Sequence, residues 1–434
     1  LCVYSSEISI VHHEGASTAA LPPHDKMMLG YDSAIKSINF CLNRLERKRD
    51  AFSGKTLEHG NRHLIRELVA SGGHHVLVDL LFCQPGYHGG GEYGKAVFRK
   101  LAEEYAAQGG FELWVAMDPS LFIDQWVWDL CKEYAVNIIA VHAYDDIVGL
   151  VNEDIFYSFF TPAIVVYTGY EYMKKAGTDL PFVCDYTRVI GTLHDIRDYE
   201  LASDHEKILI TRKNAGCKYE NSASFDEWSK SIKDNFKMAD RLKKMYSKVI
   251  SDPKVQLITI SKYCERSIRE NIGLPANPMN VWMSPMKKRP APVKPDMVDL
   301  GVSENEFALI LHASRFEKNA VSAIRAFDQL FSNELANSNF KVVLTGVNRV
   351  EQVGLEAINN KSRFVPVGEL KPETLEYFLK VARLLVYPSF NEGLGYPPIE
   401  AMSYETKCAV SSVTAIPEVC GSVVGYFDPY SVQS

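Results

Sequence analysis

The segment Tyr387–Met402, YPSFNEGLGYPPIEAM, constrains the fold of this chain more than any other. The apolar run Leu384-Leu385-Val386-Tyr387 reads as a buried strand, cut off by Pro388 and by the Gly393-Leu394-Gly395 turn. Pro397 and Pro398 suit the first turn of a helix, where a missing N–H costs nothing, and Ile399, Ala401 and Met402 continue it. Glu400 is expected in that first turn, near exposed N–H groups and the positive end of the helix dipole, with Glu392 on the other side of the glycine turn. A strand, a glycine turn and a helix start in immediate succession are half of a parallel α/β unit.

The rest of the chain repeats that alternation twice. From His74, Val76-Leu77-Val78-Asp79-Leu80-Leu81-Phe82 is a near-continuous apolar run of the kind a strand covered on both faces requires. It leads through Pro85-Gly86-Tyr87-His88-Gly89-Gly90-Gly91 into a helix expected over Tyr93 to Ala107. Further strands are expected at Phe111 to Met117, Val136 to His142, Ile164 to Tyr167, Val189 to Leu193 and, after a polar Lys-rich insertion, Val255 to Ile260. Four prolines between Ser284 and Asp299 suggest a linker. A second series comes next, with strands at Phe307 to Leu311, Lys341 to Thr345 and Phe364 to Val367 and helices at Ala320 to Phe331 and Pro372 to Val381. The expected organisation is an N-terminal, partly helical extension over 1–73 (helices at Ser33 to Phe52 and Asn61 to Ala70), a Rossmann-like domain over 74–283, a linker over 284–299 and a second Rossmann-like domain over 300–434. Gly54-Lys55-Thr56 superficially suggests a P-loop, but its first glycine would fall at Arg49 and no strand precedes it.

Composition removes several classes. A net charge of −7 on 434 residues argues against a protein devoted to nucleic acid. The nine cysteines are scattered, odd in number and free of any C-x-x-C pair, which argues against a disulfide framework or zinc module and for a reducing, cytoplasmic compartment. No apolar run approaches the ~18 residues that span a bilayer, and no signal-peptide pattern opens the chain. Lys230 to Lys248 is basic and carries apolar residues at helical spacing; a packed helix and a peripheral membrane-surface helix are both compatible with it.

The acidic pair on either side of a Gly-x-Gly turn resembles the Glu-x7-Glu signature of the retaining GT-B glycosyltransferases of family 4. The likeness continues through Val410-Ser411-Ser412, Ile416-Pro417-Glu418-Val419 and Gly425-Tyr426-Phe427-Asp428-Pro429, in the family's order. The resemblance implies two Rossmann-like doubly wound domains facing across a cleft. It also implies transfer of a sugar from a nucleoside-diphosphate donor to an acceptor hydroxyl on a glycan, a lipid-linked carrier or a small molecule. No cofactor and no metal are expected, so the charge on the departing diphosphate would be met by cations and backbone N–H groups. By resemblance, Arg315 and Lys318 grip the diphosphate, although three positions apart they are closer than the family's usual pair. Gly393, Leu394 and Gly395 would offer backbone amides, Glu400 would bind the ribose and Glu392 a hydroxyl of the donor sugar. Val367 and Gly368 resemble the place where the base lies. Gly90 and Gly91, within Gly89-Gly90-Gly91, resemble the family's glycine loop near the diphosphate and acceptor, and His194, followed by Asp195, resembles a loop facing the cleft. Where many relatives have a donor-contacting histidine, this chain has Tyr157, which leaves the sugar open. The family normally ends in further helices beyond Asp428-Pro429, so the second domain is expected to be truncated here or completed from elsewhere. An epimerase or hydrolase acting on a nucleotide sugar, or an inactive sugar-nucleotide-binding scaffold, are the alternatives.

Overall fold

The computed structural model describes residues 2–5, 8–11, 75–84, 89–108, 111–118, 120–140, 164–167, 188–217, 243–244, 246–253, 255–283, 289–297, 300–333, 339–355 and 357–433. The helices expected within 33–70, the Tyr157 position and most of the basic stripe 230–248 lie outside the described residues. Near the start, β1 (Cys2–Ser5) pairs antiparallel with β2 (Ile8–Val11).

Two larger sheets organise the remaining described residues. The seven-stranded one contains β3 (His75–Asp79), β4 (Glu112–Met117), β5 (Asn137–Ala140), β6 (Ile164–Tyr167), β7 (Arg188–Thr192), β8 (Val255–Thr259) and β9 (Asn280–Val281), in the order β5-β4-β3-β6-β7-β8-β9. The six-stranded one contains β10 (Phe307–Ile310), β11 (Lys341–Thr345), β12 (Phe364–Gly368), β13 (Leu384–Tyr387), β14 (Lys407–Ser411) and β15 (Gly425–Phe427), in the order β12-β11-β10-β13-β14-β15. Every described pairing in both is parallel. The α/β class and the two Rossmann-like parallel sheets therefore agree with the sequence reading.

By its contacts the chain divides into two compact units, Leu1–Thr168 with Leu180–Ile190, and Gly169–Asp179 with Gly191–Ser434. The boundary expected at 284–299 does not coincide with this division. In the first unit, β3 pairs with β4 and β6, and α1 (Gly89–Gln108) and α2 (Gln125–Glu133) cover one face. Val76, Val78, Leu113, Val115 and Met117 point to that face and pack with Phe98, Ala102, Val127 and Cys131. The apolar run expected to continue to Phe82 ends at Asp79, because the Asp79 carboxylate accepts the Leu81 N–H at 2.8 Å and folds the chain into a 3-10 turn.

In the second unit, the segment expected to be a polar insertion is largely helical where it is described. There α3 (Arg197–Ser203) and α4 (His205–Asn214) precede β8, and α5 (Lys262–Asn271) comes after it. The six-stranded sheet of this unit is covered on both faces. Alternation places Ala308, Ile310, Val342, Leu344 and Val386 on one side, against Ile324, Phe327 and Phe331 of α6 (Ala320–Ser332). Phe307, Leu309, Leu311, Val343, Leu385 and Tyr387 face the other, against Phe378 and Leu379 of α7 (Pro372–Val381) and Ala401 of α8 (Tyr396–Met402). Both faces being buried explains why these strands read as unbroken apolar runs. Pro366 is tolerated because β12 is the edge strand. The Pro-rich segment is pinned to the same unit. Val293 N–H donates to Glu373 O at 2.9 Å, and Arg289 donates to Glu400 O at 2.9 Å and pairs with Glu376 at 3.2 Å.

Candidate functional site

The carboxyl ends of β10 and β13 lie side by side, and the chemistry-bearing residues come directly after both strands. After β10 the chain makes a 3-10 turn over Phe316–Lys318, with Arg315 as its N-cap and Asn319 in the left-handed region (φ 50°) as its exit. After β13 it runs through Pro388–Gly395 into α8. The two loops are tied together by Phe390 N–H donating to Glu317 O at 2.9 Å. That register sets Lys318 against Glu392. Lys318 Nζ donates to Glu392 Oε1 at 2.5 Å and to the Tyr387 hydroxyl at 2.8 Å, and the Tyr387 hydroxyl donates to the same Oε1 at 2.7 Å. Both charged side chains are buried, Lys318 at 6 % exposure and Glu392 at 7 %.

Burial alone would raise the pKa of Glu392, but the Lys318 charge and the hydrogen bonds from Lys318 and Tyr387 outweigh it and hold the group below the ordinary carboxylate value. Burial and the adjacent carboxylate push the Tyr387 phenol well up, so it stays protonated. His312, at the end of β10, is driven down to about 4 by burial and by Lys318 and Arg315, so it is neutral at physiological pH. The region thus holds its charges as an ordered, desolvated cluster.

Backbone strain concentrates in the same loops. Three of the six described non-glycine residues with positive φ, namely His312, Asn319 and Thr414, lie in turns after β10 and β14. Thr414 is the most costly of these, being β-branched at φ 58°. It is retained where its hydroxyl accepts the Glu392 N–H at 3.1 Å.

The glycine turn is fixed from outside. Gly393 O accepts from the Ser261 hydroxyl at 2.8 Å and from Cys264 Sγ at 3.3 Å, both near the start of α5. A Cβ on Gly393 would lie 2.9 Å from Asp195 Oδ2 and 3.3 Å from His194 O, so a larger residue fits only if His194-Asp195 shifts. His194 is itself buried. Gly395 is the N-cap of α8 at φ 89°. The helix begins at Tyr396 with no acid in its first turn, so Glu400 opens the second turn and not the first as expected. The Pro-Pro step starts the helix one residue earlier than the prolines themselves. Glu400 is buried.

The other expected residues are spread over three places. Arg315 is half-exposed and pairs with Glu317, whereas Lys318 is engaged by Glu392. Val367 and Gly368 end β12, and Gly368 N–H donates to Val347 O at 2.8 Å while its carbonyl accepts Gly346 N–H at 2.7 Å. Gly90 and Gly91 lie in the first turn of α1, in the first unit, because that helix begins at Gly89 and not at Tyr93. The glycine loop expected at this point is therefore replaced by a glycine-rich helix start.

Tyr387, Arg197, Ser261 and Glu200 join the site without having been singled out by sequence. Tyr387 is visible there only as the last residue of a strand, and its phenol at the strand end is the available signal. Arg197, just after His194-Asp195, has its pKa raised by Asp195 foremost and then by Glu317, Asp198 and Glu392, which places a further cation near the cluster. Glu418, within the α9 helix (Ile416–Cys420), caps α5: its two carboxylate oxygens accept Lys262 N–H at 2.8 Å and Tyr263 N–H at 2.9 Å. Glu418→Ala is expected to lower stability by about 1 kcal/mol, read by urea denaturation, as loss of a carboxylate from a helix N-terminus does. An unchanged midpoint would show that solvent replaces the cap.

Residues 296–433 match the family model described as Glycosyl transferases group 1. The chain is 30% identical over 136 residues to the serotype-specific mannosyltransferase WbdA of Escherichia coli, covering 30% of this chain and 16% of that protein. It is 43% identical over 68 residues to the O-antigen chain mannosyltransferase B of Escherichia coli, covering 16% of this chain and 18% of that one. The chain thus spans less than a fifth of the length of either curated relative. Among solved structures it is similar to a sucrose-phosphate synthase from Thermosynechococcus elongatus, with a TM-score of 0.48 and 13% identity over 83% of this chain and 87% of that one.

Proposed function

We propose that the chain is a retaining glycosyltransferase that takes a hexose from a nucleoside-diphosphate donor and passes it to a hydroxyl of a glycan acceptor without a metal ion. One observation carries the reading. Within the segment that matches the glycosyl transferase family model, Lys318, Glu392 and Tyr387 converge at the carboxyl ends of adjacent parallel strands, where α/β folds bind ligands. The relatives' names make mannose the first sugar to test, and an O-antigen-type glycan the first acceptor.

In this reading the donor diphosphate approaches the loops after β10 and β13. Arg315, half-exposed and paired with its neighbour Glu317, swings to the phosphates. The leaving group gains negative charge as the sugar acquires oxocarbenium character, and Arg315, Lys318 and the backbone N–H groups of Gly393–Gly395 oppose that charge. Glu392, kept ionised by Lys318, receives a sugar hydroxyl, and Glu400 takes the ribose hydroxyls. Val367 and Gly368 lie against the base. His194, with its ring buried, lines the acceptor side.

The reading is tested with a panel of nucleoside diphosphates and their hexose conjugates. A donor at 100 times its Kd stabilises the fold by about 2.7 kcal/mol, seen as a rise in Tm. The same donor transfers its sugar with retention of the anomeric configuration, monitored by NMR, in the presence of EDTA. Glu400→Ala is expected to weaken donor binding at least about tenfold, the loss of a charge-assisted hydrogen bond of ~1.5–3 kcal/mol. If no conjugate stabilises the protein and none is turned over, the transferase reading fails. Loss of activity in EDTA would remove the metal-free part alone, and unchanged donor affinity in Glu400→Ala would remove the ribose assignment.

A further inference from the structure

The geometry assigns to Glu200 and Asn391 the role of positioning residues: together they anchor the loop that presents Glu392. The assignment rests on the transferase reading of the same site. Glu200 lies on α3 and is buried at 8 % exposure. One of its oxygens, Oε1, accepts the Tyr263 hydroxyl at 2.6 Å and the Ser267 hydroxyl, both from α5. The other, Oε2, accepts Asn391 Nδ2 at 2.8 Å. One carboxylate therefore ties α3 to α5 and to the residue next to Glu392.

Three features separate this anchor from ordinary packing. All three side-chain donors named are neutral, so the fold keeps a desolvated carboxylate where an apolar side chain would hold α3 on α5 at lower cost. Asn391 Oδ1 is buried without a hydrogen-bond partner among the described residues, whose one contact to the amide is Glu200. The carboxylate also fixes which amide atom points where, because an acceptor there excludes Oδ1. Lastly, Asn391 immediately precedes Glu392, whose Oε1 must sit 2.5 Å from Lys318 Nζ. A rotation of the chain at Asn391 swings Glu392 off that cation, and small misplacements of a positioned group are costly for turnover.

The test uses charge and amide exchanged between the two positions in the full chain. Asn391→Asp sets two carboxylates against each other. Glu200→Gln alone is tolerated, because the new side chain can keep its oxygen toward Asn391 Nδ2 and turn its amide nitrogen to the Tyr263 and Ser267 hydroxyls, which accept as readily as they donate. The double variant Glu200→Gln with Asn391→Asp restores a donor–acceptor pair. Hydrogen exchange of the peptide covering residues 388–395, which needs no substrate, should speed at least tenfold in Asn391→Asp, stay near wild type in Glu200→Gln, and recover in the double variant, while exchange in β10 and β11 is unchanged. With a donor that wild type turns over, kcat should fall at least tenfold in Asn391→Asp with KM for the donor changed less than threefold, and should recover in the double variant. Unaltered loop exchange in Asn391→Asp, or equal acceleration in β10 and β11, overturns the anchor whatever the activity. An intact exchange pattern in a wild-type protein that turns over no donor overturns the transferase reading and not the anchor.

Discussion

Lys318→Met is expected to lose about 3–5 kcal/mol of stability at neutral pH, the cost of leaving a buried carboxylate without its cation. The cause is local. Glu392 is enclosed, and Lys318 Nζ at 2.5 Å is its charged partner. The pH dependence should change sign with the substitution. In the wild type the folded pKa of Glu392 lies below its ordinary value, so the pair stabilises above the unfolded pKa and that contribution is lost as pH falls through the folded one. Without Lys318, burial becomes the dominant influence and raises the folded pKa above the unfolded value. The variant's deficit is then largest at neutral and alkaline pH and shrinks on acidification. Adding Glu392→Gln to Lys318→Met removes the stranded charge and should recover most of the loss, while activity stays absent. Chemical denaturation at neutral pH and near pH 5, on the wild type, both single variants and the double, measures this. A double variant as unstable as Lys318→Met would mean that lost packing, and not the uncompensated carboxylate, sets the cost.

The partnership of Lys318 with Glu392 also marks how far the sequence can be read. Its apolar runs locate the strands of the second sheet because both faces are buried, and a buried parallel strand writes itself as Phe-Ala-Leu-Ile or Leu-Leu-Val-Tyr. The glycine turn and Pro-Pro step locate the helix behind Glu392. Partners are harder. Lys318 and Glu392 are separated by 74 positions, and only the neighbouring register of β10 and β13 brings them together. A sequence can show that both residues are polar within apolar surroundings, but not that each is the other's counter-ion. The helices α3 and α4 are not legible because their polar faces dominate the composition of 197–214, as in His205-Glu206-Lys207. The contact from α3 to the Glu392 loop runs through Glu200 to Asn391, and Glu200 carries no motif. Helix starts differ for a further reason. Glycines 89–91 and Tyr396 are poor helix starters, and local propensity alone would start both helices later.

Gly393→Ala is expected to cost about 1–3 kcal/mol and on the order of a hundredfold in turnover, the penalties of overpacking and of a displaced site loop. Its new methyl would sit 2.9 Å from Asp195 Oδ2, 3.1 Å from Asp195 Cβ and 3.3 Å from His194 O. The first contact can be relieved by turning a side chain, whereas the third involves backbone. The loop cannot simply retreat, since Gly393 O is held by Ser261 and Cys264 on the opposite segment. Gly395→Ala offers the control, because its cost has a different origin. With φ at 89° and Ile416 Cγ1, at 3.6 Å, the nearest atom to an added Cβ among the described residues beyond its chain neighbours, the penalty there is conformational, about 1–2 kcal/mol. Asp195→Ala should therefore rescue part of the loss in Gly393→Ala, by removing the closest atom, and none of the loss in Gly395→Ala. Thermal or urea denaturation of the four variants decides the matter. Equal rescue in both backgrounds, or none in either, would mean that Gly393 is required for its backbone conformation and that the close approach of His194-Asp195 does not govern the loop.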